Sequence, residues 1–273
     1  MPNRHPIRIA VNGAAGRMGR RLVVLTQETE GLVLAAALEF PGSEHLGADA
    51  GLLAGLGELG VKVAATLPPE GVDVMIDFSL PAGTAARVPE AAAAGVAMVI
   101  GTTGLDEATT KLVAEAAKKV AVVHAANMSV GVNVLLKTAA DLARALGPSY
   151  DIEIIESHHR FKKDAPSGTA LALAKSIAAA TGRDLAKDAC YGREGTCPRK
   201  EGEIGIHAVR AGDIVGEHTI LFGALGERIE LTHVASTRDT FVRGALRAAQ
   251  WVAGKPAGLY SMQDVLGLCA TAS

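Results

Sequence analysis

Ile7-Arg8-Ile9-Ala10-Val11-Asn12-Gly13-Ala14-Ala15-Gly16-Arg17-Met18-Gly19 decides the fold. A β-branched apolar run is followed at once by glycines at G-x-x-G-x-x-G spacing, and a helical stretch runs from Gly16 to about Thr29. This is a strand, a tight turn and a helix, with a variant of the dinucleotide fingerprint at the turn. Gly13 permits the turn, Gly16 lets backbone approach a pyrophosphate, and Gly19 lets helix and sheet pack closely. The helix N-terminus offers N–H groups and positive dipole to an anion. Glu39 ends a second strand, Leu32 to Leu38, 20 residues after Gly19. A carboxylate at that distance accepts hydrogen bonds from an adenosine ribose. A glycine turn in a plain α/β domain, with Glu39 a solvated strand end, is the alternative.

Outward from this stretch the pattern repeats. Val72 to Phe78 is a third strand, followed by a helix from about Ala82 to Ala94 that Gly95 can cap. Val96 to Ile100 and Val120 to His124 are strands on either side of a helix from Asp106 to Lys119. Such alternation implies right-handed βαβ units and a mostly parallel sheet. After about residue 130 the pattern changes. Helices are expected over Gly131–Leu146 and Gly168–Ala180, with a strand at Asp151–Ser157 between them. Ile204–Arg210 and Ile214–Phe222 flank Gly212-Asp213, which reads as a hairpin turn, and Arg228–Val234 is a third antiparallel candidate. Asp184–Gly202 reads as a loop, and Thr237–Ala253 as a last helix whose amphipathic face needs a sheet to cover. Two domains follow, with a boundary near residue 129.

Composition narrows the function. Lys+Arg 27 against Asp+Glu 29 argues against a general nucleic-acid binder or a polybasic membrane-surface protein. Hydrophobic residues at 49% exclude gross disorder, and aromatics at 3% do not suit a single-strand or carbohydrate binder. No apolar run reaches membrane-spanning length, and no signal-peptide core follows Met1. A soluble, cytoplasmic protein is the expectation. Cys190, Cys197 and Cys269 have neither disulfide-framework nor zinc spacing.

Two further stretches carry chemistry. Gly101-Thr102-Thr103-Gly104 and Ala125-Ala126-Asn127-Met128-Ser129 each follow a parallel strand, at the carboxyl ends where open α/β sheets bind ligands. Small residues there suit a flat nicotinamide and its ribose; two ordinary turns are the alternative. Glu156-Ser157-His158-His159-Arg160-Phe161-Lys162-Lys163-Asp164-Ala165-Pro166-Ser167-Gly168-Thr169 is sharper. Five cationic or titratable side chains fall within residues 158–163, just before a helix that begins at Gly168. Such a loop facing a helix N-terminus traps anions, and its His and Lys can deliver protons. A solvated basic surface loop is the competing account. Adjacent His158 and His159 rarely ligate one ion together, so no metal is expected. His207, His218 and His233 read as structural histidines, and the Arg210–Asp213 turn as a simple reversal of the chain.

Together these stretches resemble the 4-hydroxy-tetrahydrodipicolinate reductase family, long called dihydrodipicolinate reductase. The resemblance rests on the glycine loop 13–19, Ile76-Asp77-Phe78, Gly101–Gly104, Ala125–Asn133, Glu153–Thr169 and Val209–Thr219, and runs from about residue 7 to 267. It implies an α/β, Rossmann-type, mostly parallel sheet with an inserted α+β domain carrying a mixed or antiparallel sheet. Residues 1–129 and 238–273 would form the dinucleotide-binding domain, and 130–237 the substrate-binding and oligomerisation domain of a homotetramer. The implied reaction is NADH- or NADPH-dependent reduction of a small cyclic dicarboxylate with loss of water, in the diaminopimelate route of lysine biosynthesis. By motif position, His158 and Lys162 match the family's proton donors, and His159, Gly168 and Thr169 its substrate-carboxylate contacts. Gly13, Ala14, Ala15, Gly16, Arg17, Met18, Glu39, Gly101, Thr102, Thr103, Ala125, Ala126, Asn127 and Met128 match cofactor contacts.

The sequence also departs from the family. Phe40 and Leu80 stand where basic residues are common, so NADH is expected to serve at least as well as NADPH. Met128 stands where an aromatic can sit against the nicotinamide, and its thioether can still pack on a ring. Two rivals remain. An amino-acid or semialdehyde dehydrogenase of this plan would have little use for the whole basic block. An NADH-sensing regulator would need a DNA-binding module, and no basic helix-turn-helix segment is present.

Overall fold

The computed structural model describes residues 5–269. The elements follow in chain order as β1 (Ile7–Asn12), α1 (Arg17–Glu28), β2 (Leu32–Leu38), α2 (Ala50–Ala54), β3 (Val63–Ala64), β4 (Val74–Asp77), α3 (Pro81–Ala93), β5 (Ala97–Ile100), α4 (Glu107–Ala117) and β6 (Ala121–His124). Then come α5 (Val130–Leu146), β7 (Asp151–His158), α6 (Gly168–Thr181), α7 (Leu185–Asp188), β8 (Ala189–Tyr191), β9 (Ile204–Arg210), β10 (Gly216–Ala224) and β11 (Glu227–Ala235). Last are α8 (Asp239–Val252), β12 (Gly258–Tyr260) and α9 (Met262–Val265). The described residues fall into two compact units that divide after Val130 and after Arg238.

The first unit holds a seven-stranded sheet in the order β12-β6-β5-β4-β1-β2-β3, parallel throughout. Its strands are apolar on both faces because helices cover both. On one side Ile9, Val11, Ile76, Val99 and Val123 pack with Leu22 and Leu25 of α1 and Val242 and Leu246 of α8. On the other, Met75, Met98, Ile100 and Val122 pack with Val88 and Ala91 of α3 and Val113 and Ala116 of α4. Each fully buried Val, Leu, Ile or Met side chain among these contributes about 1.5–3 kcal/mol. α8, the last long helix, thus lies in the core begun by the first strand. Arg21 of α1 donates to both carboxylate oxygens of Asp239 at the start of α8, at 2.8 and 2.6 Å. The strand order reverses between β1 and β4, which opens the crevice of an α/β sheet beside Gly13.

The second unit is a five-stranded mixed sheet, β11-β10-β7-β9-β8. Alternate residues of β7 are buried, so Ile152 and Ile154 meet Leu135 and Ala139 of α5 and Leu173 and Ile177 of α6. The Gly212-Asp213 hairpin is not formed. β9 and β10 flank β7 on opposite edges, β9 parallel to it and β10 antiparallel. The connection must therefore cross two strand spacings, roughly 9.5 Å, which a two-residue turn cannot span. Instead it caps the end of β7: Ala211 N–H donates to the His158 carbonyl at 2.9 Å and Arg160 N–H to the Gly212 carbonyl at 3.1 Å. The loop expected over Asp184–Gly202 begins with α7 and β8, elements too short to carry a period of their own.

Candidate active site

On the buried face of β7, Ile152 and Ile154 give way to Glu156 and His158 toward the carboxyl end. Glu156 is fully buried and makes four polar contacts. Arg210, at the end of β9, grips it as a fork at 2.8 and 2.9 Å. Ser167 N–H donates at 2.9 Å, and His158 Nδ1 lies 2.5 Å away. Burial alone would push this carboxyl up, but Arg210, His158 and Ser167 overcome it and hold it below the usual carboxylate range. Burial pushes the His158 imidazole down, against the pull of Glu156. It pushes His218, on β10, down to about 4, with His158 adding to the effect. The His158 and His218 rings meet edge to face at 5.2 Å, and His218 Nε2 lies 3.2 Å from the Ser167 hydroxyl.

Ser167 is also the N-cap of α6, accepting from Ala170 N–H at 3.2 Å. The first turn of α6 carries no acidic residue, and Gly168 is exposed at its start. Lys162 is half-buried and pairs with Asp164 at 2.9 Å. That contact holds the Asp164 carboxyl below its ordinary value. Arg210 Nη2 donates to the Asp164 carbonyl at 2.6 Å, so one guanidinium braces both the His158 and the Lys162 sides of the cluster. His159 is half-buried, and its Nδ1 is buried with no partner among the described residues. Arg160, Phe161 and Lys163 are exposed. His158, Lys162, His159, Gly168 and Thr169 thus share one loop-and-helix start. Among the described residues no group of three or more His, Cys, Asp or Glu is arranged to hold a metal ion.

Three participants escape the sequence reading: Glu156, Arg210 and His218. Glu156 and His158 stand two apart on a strand and so share a face, a legible signal. Arg210 and His218 reach the cluster only through the pairing of β9 and β10 with β7. The turn read as a simple reversal carries Arg210 into the site, and His218 is more than an isolated structural histidine.

In the first unit, Gly13 adopts φ +79°, and a Cβ there would meet Ser79 at 3.1 Å. A Cβ on Gly19 would fall 2.0 Å from the Gly13 carbonyl oxygen, so the helix rests directly on the turn. The N–H groups of Gly13 and Ala14 both donate to the Leu38 carbonyl, and Ala14 is buried. These two residues shape the turn and present no free amide. Ala15 N–H donates to Glu39 Oε1 at 2.9 Å, tying the carboxylate to the glycine loop. No side chain caps α1 and its first turn has no acid, so Arg17 and Met18 begin an uncovered helix N-terminus. That donor set fits the pyrophosphate of a dinucleotide. Beside Glu39, Phe40 and Leu80 are 62% and 74% exposed, and neither brings a cation. Gly101 and Thr102 are buried at the end of β5, while Thr103 is exposed. Ala125 and Asn127 are half-buried and Ala126 exposed, after β6. Met128 is 1% exposed and falls in the core cluster that also holds Val242 and Ala245.

Residues 7–128 match the model for the dihydrodipicolinate reductase N-terminus, and residues 131–266 the model for its C-terminus. The chain belongs to the dihydrodipicolinate reductase family. A relative named 4-hydroxy-tetrahydrodipicolinate reductase, from Alkalilimnicola ehrlichii, is 56% identical over 96% of this chain and 99% of its own length. One of the same name from Cupriavidus necator is 53% identical over 95% and 99%. A dipicolinate-bound dihydrodipicolinate reductase from Paenisporosarcina sp. TG-14 superposes with a TM-score of 0.74 at 29% identity, covering 95% of this chain and 98% of that one. As a dihydrodipicolinate reductase family member the chain is an oxidoreductase, and its Rossmann-type sheet implies a nicotinamide cofactor. No helix among the described residues is long and apolar enough to cross a membrane.

Proposed function

We propose that this chain reduces 4-hydroxy-tetrahydrodipicolinate to tetrahydrodipicolinate, with loss of water, in the diaminopimelate route of lysine biosynthesis. The observation that carries the reading is the cluster of His158, Lys162, Glu156 and Arg210 beside the acid-free N-terminus of α6. A cyclic dicarboxylate needs charge at two places. The amides and hydroxyl at Gly168 and Thr169 take one carboxylate with the help of the helix dipole. His159 supports the same anion. The remaining polar groups handle protons.

The nicotinamide, when bound, supplies the hydride. The electron pair so displaced settles on a neighbouring atom of the substrate ring, and Lys162 gives that atom its proton. Asp164 keeps the ammonium in place at 2.9 Å. The N-terminus of α1, at Arg17 and Met18, holds the pyrophosphate, and the free oxygen of Glu39 accepts from the adenosine ribose. Gly101 to Thr103 and Ala125 to Asn127 bound the nicotinamide end. We assign the first unit to the dinucleotide, and the second to the substrate and to assembly of a homotetramer, because the outer face of its sheet is open. Ile155, Val209 and Val234 on that face are 38%, 43% and 55% exposed.

The test is NADH oxidation followed at 340 nm with 4-hydroxy-tetrahydrodipicolinate generated in the cuvette. One NADH consumed per substrate, and none with aspartate semialdehyde or an amino acid, supports the reading. Turnover of a linear substrate alone overturns it.

A further inference from the structure

His158 and Lys162 are not equivalent. An ionised carboxylate only accepts hydrogen bonds. Glu156 receives the Arg210 fork and the Ser167 amide, so the contact at 2.5 Å requires a proton on His158 Nδ1. In the neutral imidazole the lone pair then sits on Nε2. Nε2 has no hydrogen-bond partner among the described residues and lies against Gly216, where even a Cβ would come within 3.1 Å of it.

We propose that Glu156, kept ionised by Arg210, is the positioning residue that fixes His158 in the Nδ1–H tautomer, so that Nε2 meets the substrate as an acceptor and Lys162 is the resting proton donor. This rests on the reading of His158 and Lys162 as the acid–base residues. It gives buried Glu156 and the turn-borne Arg210 a purpose that local stability does not require. A buried ion pair is commonly no more stabilising than apolar residues of the same volume.

The charged and titratable groups facing His158 are Glu156 on its own strand, Arg210 on β9, His218 on β10 and Lys162 on the following loop. Removing the Glu156 charge leaves the other three, none of which favours the imidazolium. Any limb of the pH–rate profile that belongs to His158 should therefore move to lower pH in Glu156→Gln.

The experiment combines ¹⁵N-histidine NMR with kinetics on the full-length wild type, Glu156→Gln and His158→Gln, the last also assigning the signal. The wild type is expected to report neutral His158 protonated at Nδ1. Glu156→Gln should shift that signal toward the Nε2–H tautomer and lower kcat about 10²-fold or more, with the KM for NADH little changed. An Nε2–H tautomer in the wild type overturns the proposal whether or not the variant folds. So does a Glu156→Gln enzyme with wild-type kcat, provided His158→Gln is impaired. If His158→Gln itself keeps full kcat, the acid–base reading of the site fails, which is a separate result.

Discussion

Lys162 and Lys163 are adjacent, yet only the first is half-buried and held by Asp164, while the second is exposed. Lys162→Ala is expected to lower kcat about 10²–10⁴-fold with little change in the KM for NADH, and Lys163→Ala to keep wild-type kinetics. Steady-state rates for the pair decide it. Cofactor choice also turns on single residues. A 2′-phosphate beside Glu39 would cost about 1 kcal/mol in water at 4 Å, and more near a protein surface. Phe40 and Leu80 offer no compensation, and Arg87, which donates to the Glu39 carbonyl, is buried and paired with Glu90; Arg17, in the glycine loop, is the cation that could. NADH is thus expected to match or exceed NADPH in kcat/KM, and Phe40→Arg to improve NADPH use specifically. A tenfold preference for NADPH in the wild type would refute this and point to Arg17. His218 governs a third property. Its folded-state pKa near 4 lies below the ordinary 6.5, so the unfolded chain binds the extra proton first. The penalty is absent above about pH 6.5 and grows as pH falls, to about 3 kcal/mol near pH 4. His218→Gln should lose about 2 kcal/mol less stability than wild type between pH 7 and 5, by urea titration.

Among the elements, α1 and α6, whose N-termini are the proposed anion sites, differ in how tightly they are seated. Gly19→Ala drives a methyl to 2.0 Å from the Gly13 carbonyl oxygen, so it should cost about 1–3 kcal/mol or more and weaken NADH binding. At Gly168 nothing lies within 4 Å, so Gly168→Ala should not lower the melting temperature. Calorimetry on both separates seating from helix propensity. Thr169→Val, one residue on, should raise the KM for the dicarboxylate about tenfold or more while leaving NADH affinity alone, since a hydrogen bond to a charge is worth about 1.5–3 kcal/mol. An unaltered KM would put the turn at 167–169 outside the substrate site. The βαβ elements were legible because period-2 and period-3.6 patterns are local properties of the chain. The placement of β9 and β10 on opposite edges of β7 was not, because a glycine turn competes with the long-range pull of β7, whose two edges were both available. α2, β3, α7 and β8 are each five residues or fewer and exist because neighbours hold them. Within the site, the basic loop advertised itself by charge density, and Glu156 could have been found from its strand face. Arg210 and His218 could not be placed without the sheet order.

Across the whole molecule, the open face of the five-stranded sheet is where copies of the chain should meet. Ile155→Lys combined with Val234→Lys is expected to convert a tetramer to smaller species in sedimentation velocity, with Lys placed among the exposed apolar side chains. An unchanged sedimentation coefficient would move the assembly surface elsewhere. The connectivity of the two units has a different consequence. The sheet of the first unit is begun by β1, yet the helix that covers Ile76, Val99 and Val123 is α8, which follows the entire second unit in the chain. On the ribosome, therefore, the segment from Gly131 to Arg238 is complete before the unit that flanks it. Until Val242, Leu246 and Val252 emerge, α1 alone covers that side of the parallel sheet. The nascent chain passes through an interval with a finished insert and an unfinished host, and the greasy side of that host is what a ribosome-associated chaperone would hold.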